Sequence, residues 1–424
     1  MNNNKKLQDF SKVIGECVKC GVCQAHCPTY QLTRKEGAVA RGKISLAAAL
    51  LAGGADLEER LQEDISMCLM CGSCVSKCPN KVPTHEIVGA IRREIAEKQG
   101  LSPLGKGISA LLGSKVLMNS LSKGGALLAP LLLKKVPESS GLRLRFPAPG
   151  LQGMQNRTVP KIAFRNLFDR LPEFIEGQTD KPVVGFFAGC SITYAYPEIG
   201  EHMVAILHRL GYSVYLPRAQ RCCGIPALSS GNGQLVSELA EKNIAAFAAR
   251  EVQHIVTACG SCNGGIGEHY RTMQADFKSF TEKVVDFSVF LKDAGLFDEL
   301  AGIEKWPERT RVTYHDPCHL KIQGITSEPR EFLKALPNVD FVEMAGASTC
   351  CGLGGTFSVH HYESSKAIGA KKIPGLQESG ASMIATACPG CIMQLQDVIN
   401  HAGMQVKAVH ILELLAAALN PRRS

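Results

Sequence analysis

The sequence predicts an α+β multidomain protein, with a helical N-terminal domain followed by two duplicated α/β domains that each contain a parallel sheet. Three observations predict this fold class. Two cysteine motifs lie in the first hundred residues among apolar residues at helical spacing, a different cysteine pattern occurs twice in the second half, and short apolar runs alternate there with helical segments. The chain has 424 residues, 45% hydrophobic and 20% charged, which is enough to bury several cores.

The first cysteine motif has the spacing C-x-x-C-x-x-C-x-x-x-C-P and occurs twice, at Cys17, Cys20, Cys23 and Cys27, and at Cys68, Cys71, Cys74 and Cys78. This spacing is typical of ferredoxins with two [4Fe-4S] clusters, in which the fourth cysteine of each motif ligates the other cluster. It predicts one cluster on Cys17, Cys20, Cys23 and Cys78, and a second on Cys68, Cys71, Cys74 and Cys27. A pair of zinc sites is the alternative, but zinc coordination requires neither the third cysteine nor the Cys-Pro pair.

The segments around these motifs have helical patterns. Residues 42–60 have apolar positions at helical spacing before a Gly-Gly stop, and after the second motif Ile87, Val88, Ile91 and Ile95 fall on one side of a predicted helix. We therefore expect an α-helical ferredoxin domain rather than the compact β-rich type. Arg41 and Lys43 are expected to be solvated surface charges, with a hydrogen bond to a cluster as the alternative.

The remaining ten cysteines form a second repeated pattern. The first copy is Cys190, Cys222, Cys223, Cys259 and Cys262, and the second is Cys318, Cys350, Cys351, Cys388 and Cys391. The copies are offset by 128 residues at the first three cysteines and by 129 at the last two, which indicates a duplicated domain of about 125 residues. The segment 283–291 likewise parallels 407–415.

Each of these cysteines follows a short apolar run. The runs are 183–189, 212–217 and 254–258 in the first copy, and 312–317, 339–345 and 383–387 in the second. Strands alternating with helices predict parallel βαβ units, whose sites form at the carboxyl ends of the strands. Five cysteines should thus converge at one edge of each sheet. Because five thiolates exceed what zinc or one cubane cluster needs, an unusual cluster is predicted, with zinc in one copy as the alternative.

With both motifs together, the chain resembles the CCG-domain (cysteine-rich domain) family. This family includes the iron–sulfur subunits of glycolate oxidase and D-lactate dehydrogenase, and the CCG-containing subunits of anaerobic glycerol-3-phosphate dehydrogenase and heterodisulfide reductase. The resemblance covers nearly the whole chain, and the segments AHCPTYQL, ARGKISL, TYHDPCHL and CCGLGGTF are most similar to the glycolate and D-lactate subunits. It implies that a set of five cysteines can hold one further [4Fe-4S] cluster of noncubane type, which gives one or two such clusters in the CCG domains.

The resemblance also implies an electron-transfer subunit of a 2-hydroxy-acid dehydrogenase complex. Gly231-Asn-Gly233 and Gly352-Leu-Gly354 both lack the third glycine of a dinucleotide-binding motif, so FAD is expected on a partner subunit and a quinone is one expected acceptor. Because both sets of five cysteines are complete, a heterodisulfide-reductase-like thiol/disulfide reductase is the alternative. His315, His319, His360 and His361 lie near the second set, but the sequence assigns none of them a catalytic role.

Four segments are predicted: a ferredoxin domain at 1–100, a basic amphipathic linker region at 101–180, and CCG domains at 181–300 and 301–424. Residues 101–150 contain seven Lys or Arg and one acid, with Ile108, Leu111, Leu112, Val116 and Leu121 at helical spacing. This segment either lies on a membrane surface or packs on the protein or a partner. We expect no transmembrane helix, a cytoplasmic location with contact to the inner membrane face as the alternative, and no nucleic-acid partner.

Overall fold

The computed structural model describes residues 5–136, 141–145, 156–178, 180–274 and 277–420. Within these ranges, residues 5–100 are helices and loops, and the second half contains two sheets with helices packed on them. The predicted α+β fold class is therefore confirmed.

The N-terminal part is a small helical domain with its own apolar core. That core contains Phe10, Ile44, Ile65, Ile87 and Ile91, so Ile87 and Ile91, two of the apolar positions that predicted the helix after the second motif, pack together there. The helices are Leu7–Phe10 and Glu36–Ala38 (both 3-10), Ser11–Gly15, Val22–His26, Pro28–Thr33, Ala40–Leu51, Glu59–Ser66, Ser73–Ser76 and Thr84–Gln99.

Two helices follow, Pro103–Gly113 and Lys115–Leu132, and then a two-stranded antiparallel ribbon of β1 (Leu133–Lys135) and β2 (Leu142–Leu144). Ser114 separates the helices because its Oγ accepts a hydrogen bond from the backbone N–H of Leu117 at 3.2 Å, which caps the second helix. The apolar positions at helical spacing in this region therefore divide between two helices: Leu112 on the first is buried in the main core, whereas Val116 on the second is exposed.

Within the described ranges, no helix combines the length and apolar content that crossing a bilayer requires.

The first sheet has the strand order β3-β5-β4-β6-β7, with β3 antiparallel and the other strands parallel. The strands are β3 (Phe174–Ile175), β4 (Val183–Phe187), β5 (Ser213–Tyr215), β6 (His254–Thr257) and β7 (Val284–Asp286). Its helices are Leu167–Arg170, Gly189–Tyr194, Pro197–Arg209, Ile225–Ser229, Gly233–Ala248, Gly260–Gly264, Gly265–Tyr270 (π), Arg271–Met273, Lys278–Thr281, Phe287–Asp293 and Leu296–Ala301.

The second sheet repeats this parallel arrangement in the order β11-β10-β8-β9. The strands are β8 (Thr310–His315), β9 (Val339–Phe341), β10 (Met383–Thr386) and β11 (Lys407–His410), and they correspond to β4, β5, β6 and β7. Its helices are Cys318–Ile322, Ser327–Ala335, Phe357–His360, Tyr362–Ala370, Ile373–Ser379, Pro389–His401 and Ile411–Leu419.

The two sheets share one continuous apolar core. Helix Gly260–Gly264 of the first copy lies against helix Cys318–Ile322 of the second, and the backbone N–H of Gly260 donates to the carbonyl oxygen of Ala387 at 3.0 Å. A Cβ at Gly264 would lie 2.6 Å from His319 Nδ1, so this close approach requires glycine. The cysteine-bearing edges of the two domains therefore face each other.

The helical domain rests on both sheet domains. The half-buried Arg92 donates from its guanidinium to the carbonyl oxygens of Ile65, Ser66 and Cys68 in its own domain, and to that of Ser229 in the first sheet domain at 3.2 Å. Ser66 Oγ and His361 Nε2 form a 2.8 Å hydrogen bond to the second sheet domain. These contacts fix the N-terminal cysteines relative to the others.

Candidate metal centres

The two N-terminal cysteine motifs have the same backbone turn. Lys19 and Gly21 have φ of 54° and 85°, and the equivalent Met70 and Gly72 have φ of 54° and 63°. Left-handed residues at these positions bend the chain sharply between successive cysteines. Each motif therefore curls around a centre, as ligands of a compact metal cluster must.

The eight N-terminal cysteines surround two neighbouring cavities. One is bordered by Cys17, Cys20, Cys23 and Cys78. The other is bordered by Cys27, Cys68 and Cys71. Cys74 borders both. The fourth cysteine of each motif thus lies with the first three of the other motif, and this donor set and grouping fit two four-cysteine cluster sites with exchanged fourth ligands.

The two basic residues between the motifs differ in their environments. Arg41 borders the first cavity and forms an ion pair with Glu36, with its side chain 31% exposed. Lys43 is 1% exposed, borders the second cavity and donates from Nζ to the carbonyl oxygen of Gly37 at 2.8 Å. The expectation of a solvated surface charge is therefore wrong for Lys43, because the helix Ala40–Leu51 that carries it packs this side chain inward.

In the first sheet domain, all five cysteines gather at the carboxyl ends of β4, β5 and β6. Cys190 lies in the first turn of helix Gly189–Tyr194, and its Sγ is 3.5 Å from that of Cys222. The thiol of Cys223 hydrogen bonds to those of Cys222 and Cys262. Cys259 is the N-cap of helix Gly260–Gly264 and contacts Cys262.

The second set gathers in the same way after β8, β9 and β10. Cys318 is the first residue of its helix, and Cys350 hydrogen bonds to both Cys318 and Cys351. The Sγ atoms of Cys351 and Cys391 are 3.7 Å apart, and Cys388 hydrogen bonds to Cys391. All five are buried.

The second set has an imidazole that the first set does not have. The ligand atoms of His315, Cys351 and Cys391 lie within 4.8 Å of one another, and His315 Nδ1 is also 3.2 Å from the carbonyl oxygen of Ala347. At the equivalent position of the first copy stands Phe187, also at the end of its strand. Of the four histidines near the second set, His319 also borders the domain interface, whereas His361 hydrogen bonds to Ser66.

A buried lysine lies beside the second set, and the sequence analysis did not single it out. Lys372 is 1% exposed, and its Nζ donates to the carbonyl oxygens of Gly346 and Ala347 and to Thr349 Oγ1. Burial lowers the pKa of Lys372 to about 8, while the neighbouring thiols, Cys351 first, act in the opposite direction. No local spacing signals this residue, because exposed Lys371 precedes it and only the fold distinguishes the two.

Crowding of the thiols shifts their pKa values in opposite directions. Hydrogen bonds from Cys222 and Cys262 lower the pKa of Cys223 to about 5, whereas a hydrogen bond to Cys318 is the main cause that raises the pKa of Cys71 to about 12. Metal ligation requires thiolates, so loading the protonated thiols with metal must release protons.

The cysteine sets also touch one another. Cys71 hydrogen bonds to Cys318 and Cys350, which connects the N-terminal domain to the second set. Cys259 Sγ lies 3.9 Å from Cys388 Sγ, and Ser261 Oγ lies 3.4 Å from the same sulfur, which connects the second set to the first. In space, the N-terminal cysteines are therefore followed by the second set and then by the first set, which differs from their order in the sequence.

A third cavity lies at the far end of this row, beside Cys190 and Cys222. Leu112, Lys115, Met118 and Arg221 form much of the rest of its wall.

Comparisons with known proteins agree with both kinds of motif. The profile of the 4Fe-4S dicluster domain matches residues 14–82, and that of the cysteine-rich domain, CCG, matches residues 184–267 and 312–396. The chain is 28% identical over 440 residues to the probable glycolate oxidase iron-sulfur subunit of Bacillus subtilis, which covers 100% of this chain and 98% of that protein.

Two further relatives show different coverage. Lactate utilization protein A of Oceanobacillus iheyensis is 32% identical over 239 residues, which cover 55% of this chain and 96% of that protein. One subunit of the dihydromethanophenazine:CoB–CoM heterodisulfide reductase of Methanosarcina barkeri is 27% identical over 434 residues, covering 95% of this chain and 93% of that protein. Together with the cysteine geometry, these matches show that the chain belongs to the family of iron–sulfur proteins with CCG domains, here preceded by a 4Fe-4S dicluster domain.

Proposed function

We propose that this chain is the electron-transfer subunit of a flavin-dependent 2-hydroxy-acid dehydrogenase complex that oxidises D-lactate or glycolate. Iron–sulfur clusters, when bound, supply one-electron chemistry, which lets a two-electron oxidation be divided into single steps. The observation that supports the proposal best is the unbroken row of cysteine sets, joined at Cys71 with Cys318 and at Cys259 with Cys388. A row of this kind suits conduction between two ends of a protein.

We propose that each group of cysteines supplies the ligands of one iron–sulfur cluster. Cys17, Cys20, Cys23 and Cys78 would hold one [4Fe-4S] cluster, and Cys68, Cys71, Cys74 and Cys27 a second, because these groups border the two N-terminal cavities. The two sets of five cysteines would each hold a further cluster, of noncubane type. We also propose the domain limits 1–100, 101–180, 181–300 and 301–424, and a cytoplasmic location.

The proposed partner is an FAD-containing subunit, and the proposed acceptor is a quinone. Relatives named as a glycolate oxidase iron-sulfur subunit and a lactate utilization protein support the substrate class. The two incomplete glycine motifs support placing the flavin on another chain, since Gly352 serves instead as the left-handed residue after Cys351, with φ of 97°.

The test is anaerobic purification of this chain together with the proteins that bind it, followed by addition of D-lactate or glycolate. We expect a flavoprotein to co-purify and the visible iron–sulfur absorbance to bleach on adding one of the two acids. A matched sample with Cys190→Ala and Cys318→Ala should bleach less, in proportion to the iron that it lacks. If neither acid reduces the intact complex, the proposal is wrong.

A thiol/disulfide reductase is the second candidate function. It is favoured by the relative named as a heterodisulfide reductase component and by the close approach of two complete sets of five cysteines. Reduced viologen and a series of low-molecular-weight disulfides would be supplied to the chain. Release of thiol above the background of a Cys259→Ala variant would support this function, and its absence would remove it.

Metal counting decides whether one CCG site holds zinc. Two cubane and two further four-iron clusters require about 16 irons per chain and no zinc. A structural zinc in one site would replace about four of these irons with one zinc. Elemental analysis of anaerobically purified protein separates the two outcomes.

A further inference from the structure

Helix Lys115–Leu132 has one face that the rest of the described protein leaves uncovered. Its most exposed apolar side chains are Val116 at 76%, Leu121 at 56%, Leu127 at 67% and Leu131 at 65%. At 3.6 residues per turn these four side chains lie within an arc of about 140° on one side of the helix, so together they form a stripe along it, which at 1.5 Å per residue is about 27 Å long. Isolated exposed leucines are ordinary on a protein surface, but a contiguous stripe indicates contact with something else.

The opposite face fixes the helix on the protein. Met118 packs against the main core, and Asn119 Oδ1 accepts a 2.7 Å hydrogen bond from Tyr194 OH. Ser122 is buried, and Gly125 approaches the Cδ1 atom of Ile162. Since the inner face is held at positions spaced along its length, the helix presents its apolar stripe outward as a fixed surface.

The surroundings of the stripe are strongly basic. Residues 101–165 contain ten Lys and Arg and a single acid, whereas the rest of the chain has 37 Lys and Arg against 38 acids. The whole positive excess of the protein therefore belongs to this segment. Lys134 and Lys135 are exposed directly after the helix, Arg145 donates to the carbonyl oxygen of Pro130 at its end, and exposed Lys161 lies next to Ile162.

We propose that helix Lys115–Leu132 docks the protein on an anionic lipid bilayer, lying parallel to the membrane with its apolar stripe among the acyl chains. An apolar stripe bordered by Lys and Arg is the composition of helices that bind at the membrane interface, where apolar burial and attraction to anionic lipid add together. The positive charge around the stripe favours anionic lipid as its binding partner, because a neutral apolar partner would gain nothing from the surrounding basic residues.

The docked orientation has a consequence that rests on the proposed function. The cavity beside Cys190 and Cys222 is walled by Lys115 and Met118, at the start of the same helix. Docking would hold this end of the cysteine row at the bilayer surface, where a lipid-soluble acceptor such as a quinone enters from the membrane. The proposed quinone acceptor would then react at the same end of the molecule at which the helix binds the membrane.

The test is sedimentation of the full-length, cluster-loaded protein with vesicles. Vesicles of phosphatidylcholine containing phosphatidylglycerol should bind the protein, and pure phosphatidylcholine vesicles should bind it much less. The double substitution Leu127→Ser and Leu131→Ser should weaken binding at least about tenfold, because two exposed leucines no longer enter the lipid. The substitutions Lys134→Glu and Lys135→Glu should abolish the preference for anionic vesicles.

Matched controls place the same changes elsewhere on the surface. Lys242→Glu with Lys305→Glu alters two exposed lysines outside the segment, and Leu32→Ser alters a leucine that is 36% exposed on the N-terminal domain, so these proteins should bind like the wild type. Unchanged visible absorbance shows that each variant is folded and loaded.

The inference is wrong if the wild type does not sediment with anionic vesicles, or if the Leu127→Ser, Leu131→Ser protein sediments as well as the wild type. It is also wrong if that variant instead loses a co-purifying flavoprotein while vesicle binding persists, since the stripe would then be a protein interface. Because vesicle binding needs no substrate, the sedimentation result can be interpreted even if the proposed dehydrogenase function is wrong.

Discussion

At the residue scale, the exchanged fourth ligands of the N-terminal motifs give a prediction that double substitutions can check. Cys17 and Cys78 border one cavity, whereas Cys27 borders the other. We expect Cys17→Ala with Cys78→Ala to remove one cluster and about four irons, since both residues serve the same cluster. Cys17→Ala with Cys27→Ala should remove both clusters and about eight irons.

Iron and sulfide analysis of the two proteins measures this difference. If each motif instead held its own cluster, the two results would be reversed: the Cys17 and Cys27 pair would remove one cluster, and the Cys17 and Cys78 pair would remove two.

Lys372 gives a second prediction at this scale, because the duplicated domains differ there. Lys372 and Asn243 each lie sixteen residues before the first cysteine of the final C-x-x-C, so a buried ammonium in the second copy corresponds to a buried neutral amide in the first. A buried cation stabilises a cluster more after it gains an electron. Lys372→Gln should therefore lower the midpoint potential of the second CCG site. Each loss of about 1.4 kcal/mol in the stabilisation of the reduced cluster lowers the one-electron potential by about 59 mV.

Redox titration followed by electron paramagnetic resonance measures this potential. Lys372→Arg keeps the charge and should stay near the wild-type value, and Lys371→Gln, at the exposed neighbouring position, is the matched control. An unchanged potential in Lys372→Gln would show that this ammonium does not act on the site.

At the scale of elements, the glycine that follows each cysteine pair has a left-handed backbone conformation, and at Gly224 it is also the N-cap of helix Ile225–Ser229. Gly224 has φ of 90° and Gly352 has φ of 97°. A Cβ at Gly224 would lie 3.1 Å from a methyl group of Val236, which can move, whereas at Gly352 it would overlap the backbone carbonyl of Ser365, which cannot. Each substitution to alanine should lower the free energy of unfolding by about 1–3 kcal/mol because of backbone strain.

Gly352→Ala should cost more than Gly224→Ala, with earlier thermal unfolding and loss of iron from the second CCG site. Thermal melts of the loaded proteins, with iron counted after purification, compare the two. Equal destabilisation would mean that the loop after Cys351 relaxes around the added methyl group.

At the scale of the whole molecule, the contacts between cysteine sets make the second CCG site the middle of the row. Cys71 of the N-terminal domain contacts Cys318 and Cys350, and Cys388 contacts Cys259 of the first CCG site. Removing the middle site should interrupt conduction whichever end receives the electrons. We therefore expect Cys350→Ala to lose the fast reduction of the clusters on one side of the gap.

Stopped-flow mixing of the complex with its hydroxy acid, with freeze-quenched spectra, resolves the clusters. In the matched variant Cys190→Ala, which alters the end of the row where the quinone acceptor is proposed to react, the other clusters should still reduce at the wild-type rate. Fast reduction of every remaining cluster in Cys350→Ala would contradict the inferred order.

Much of this architecture was predictable because it depends on local spacing. Each predicted run contains a strand, at 183–189, 212–217, 254–258, 312–317, 339–345 and 383–387. The paired offsets of 128 and 129 residues correspond to the same parallel strand order in both domains. The burial of Lys43 and Lys372 was not predictable, since it depends on which face of a helix meets a neighbouring domain.

The sequence alone determined which cysteines belong to each set, because ligands of one site lie in short motifs or follow successive strands whose ends must meet at one edge. Only the tertiary structure decided how the sets follow one another, since Cys71 with Cys318 and Cys259 with Cys388 are far apart in the chain and meet through domain packing. It also decided that the apolar residues between Ile108 and Leu121 divide between two helices. Packing buries Leu112 of the first helix in the core and leaves a face of the second helix open, and no periodicity within the segment encodes that choice.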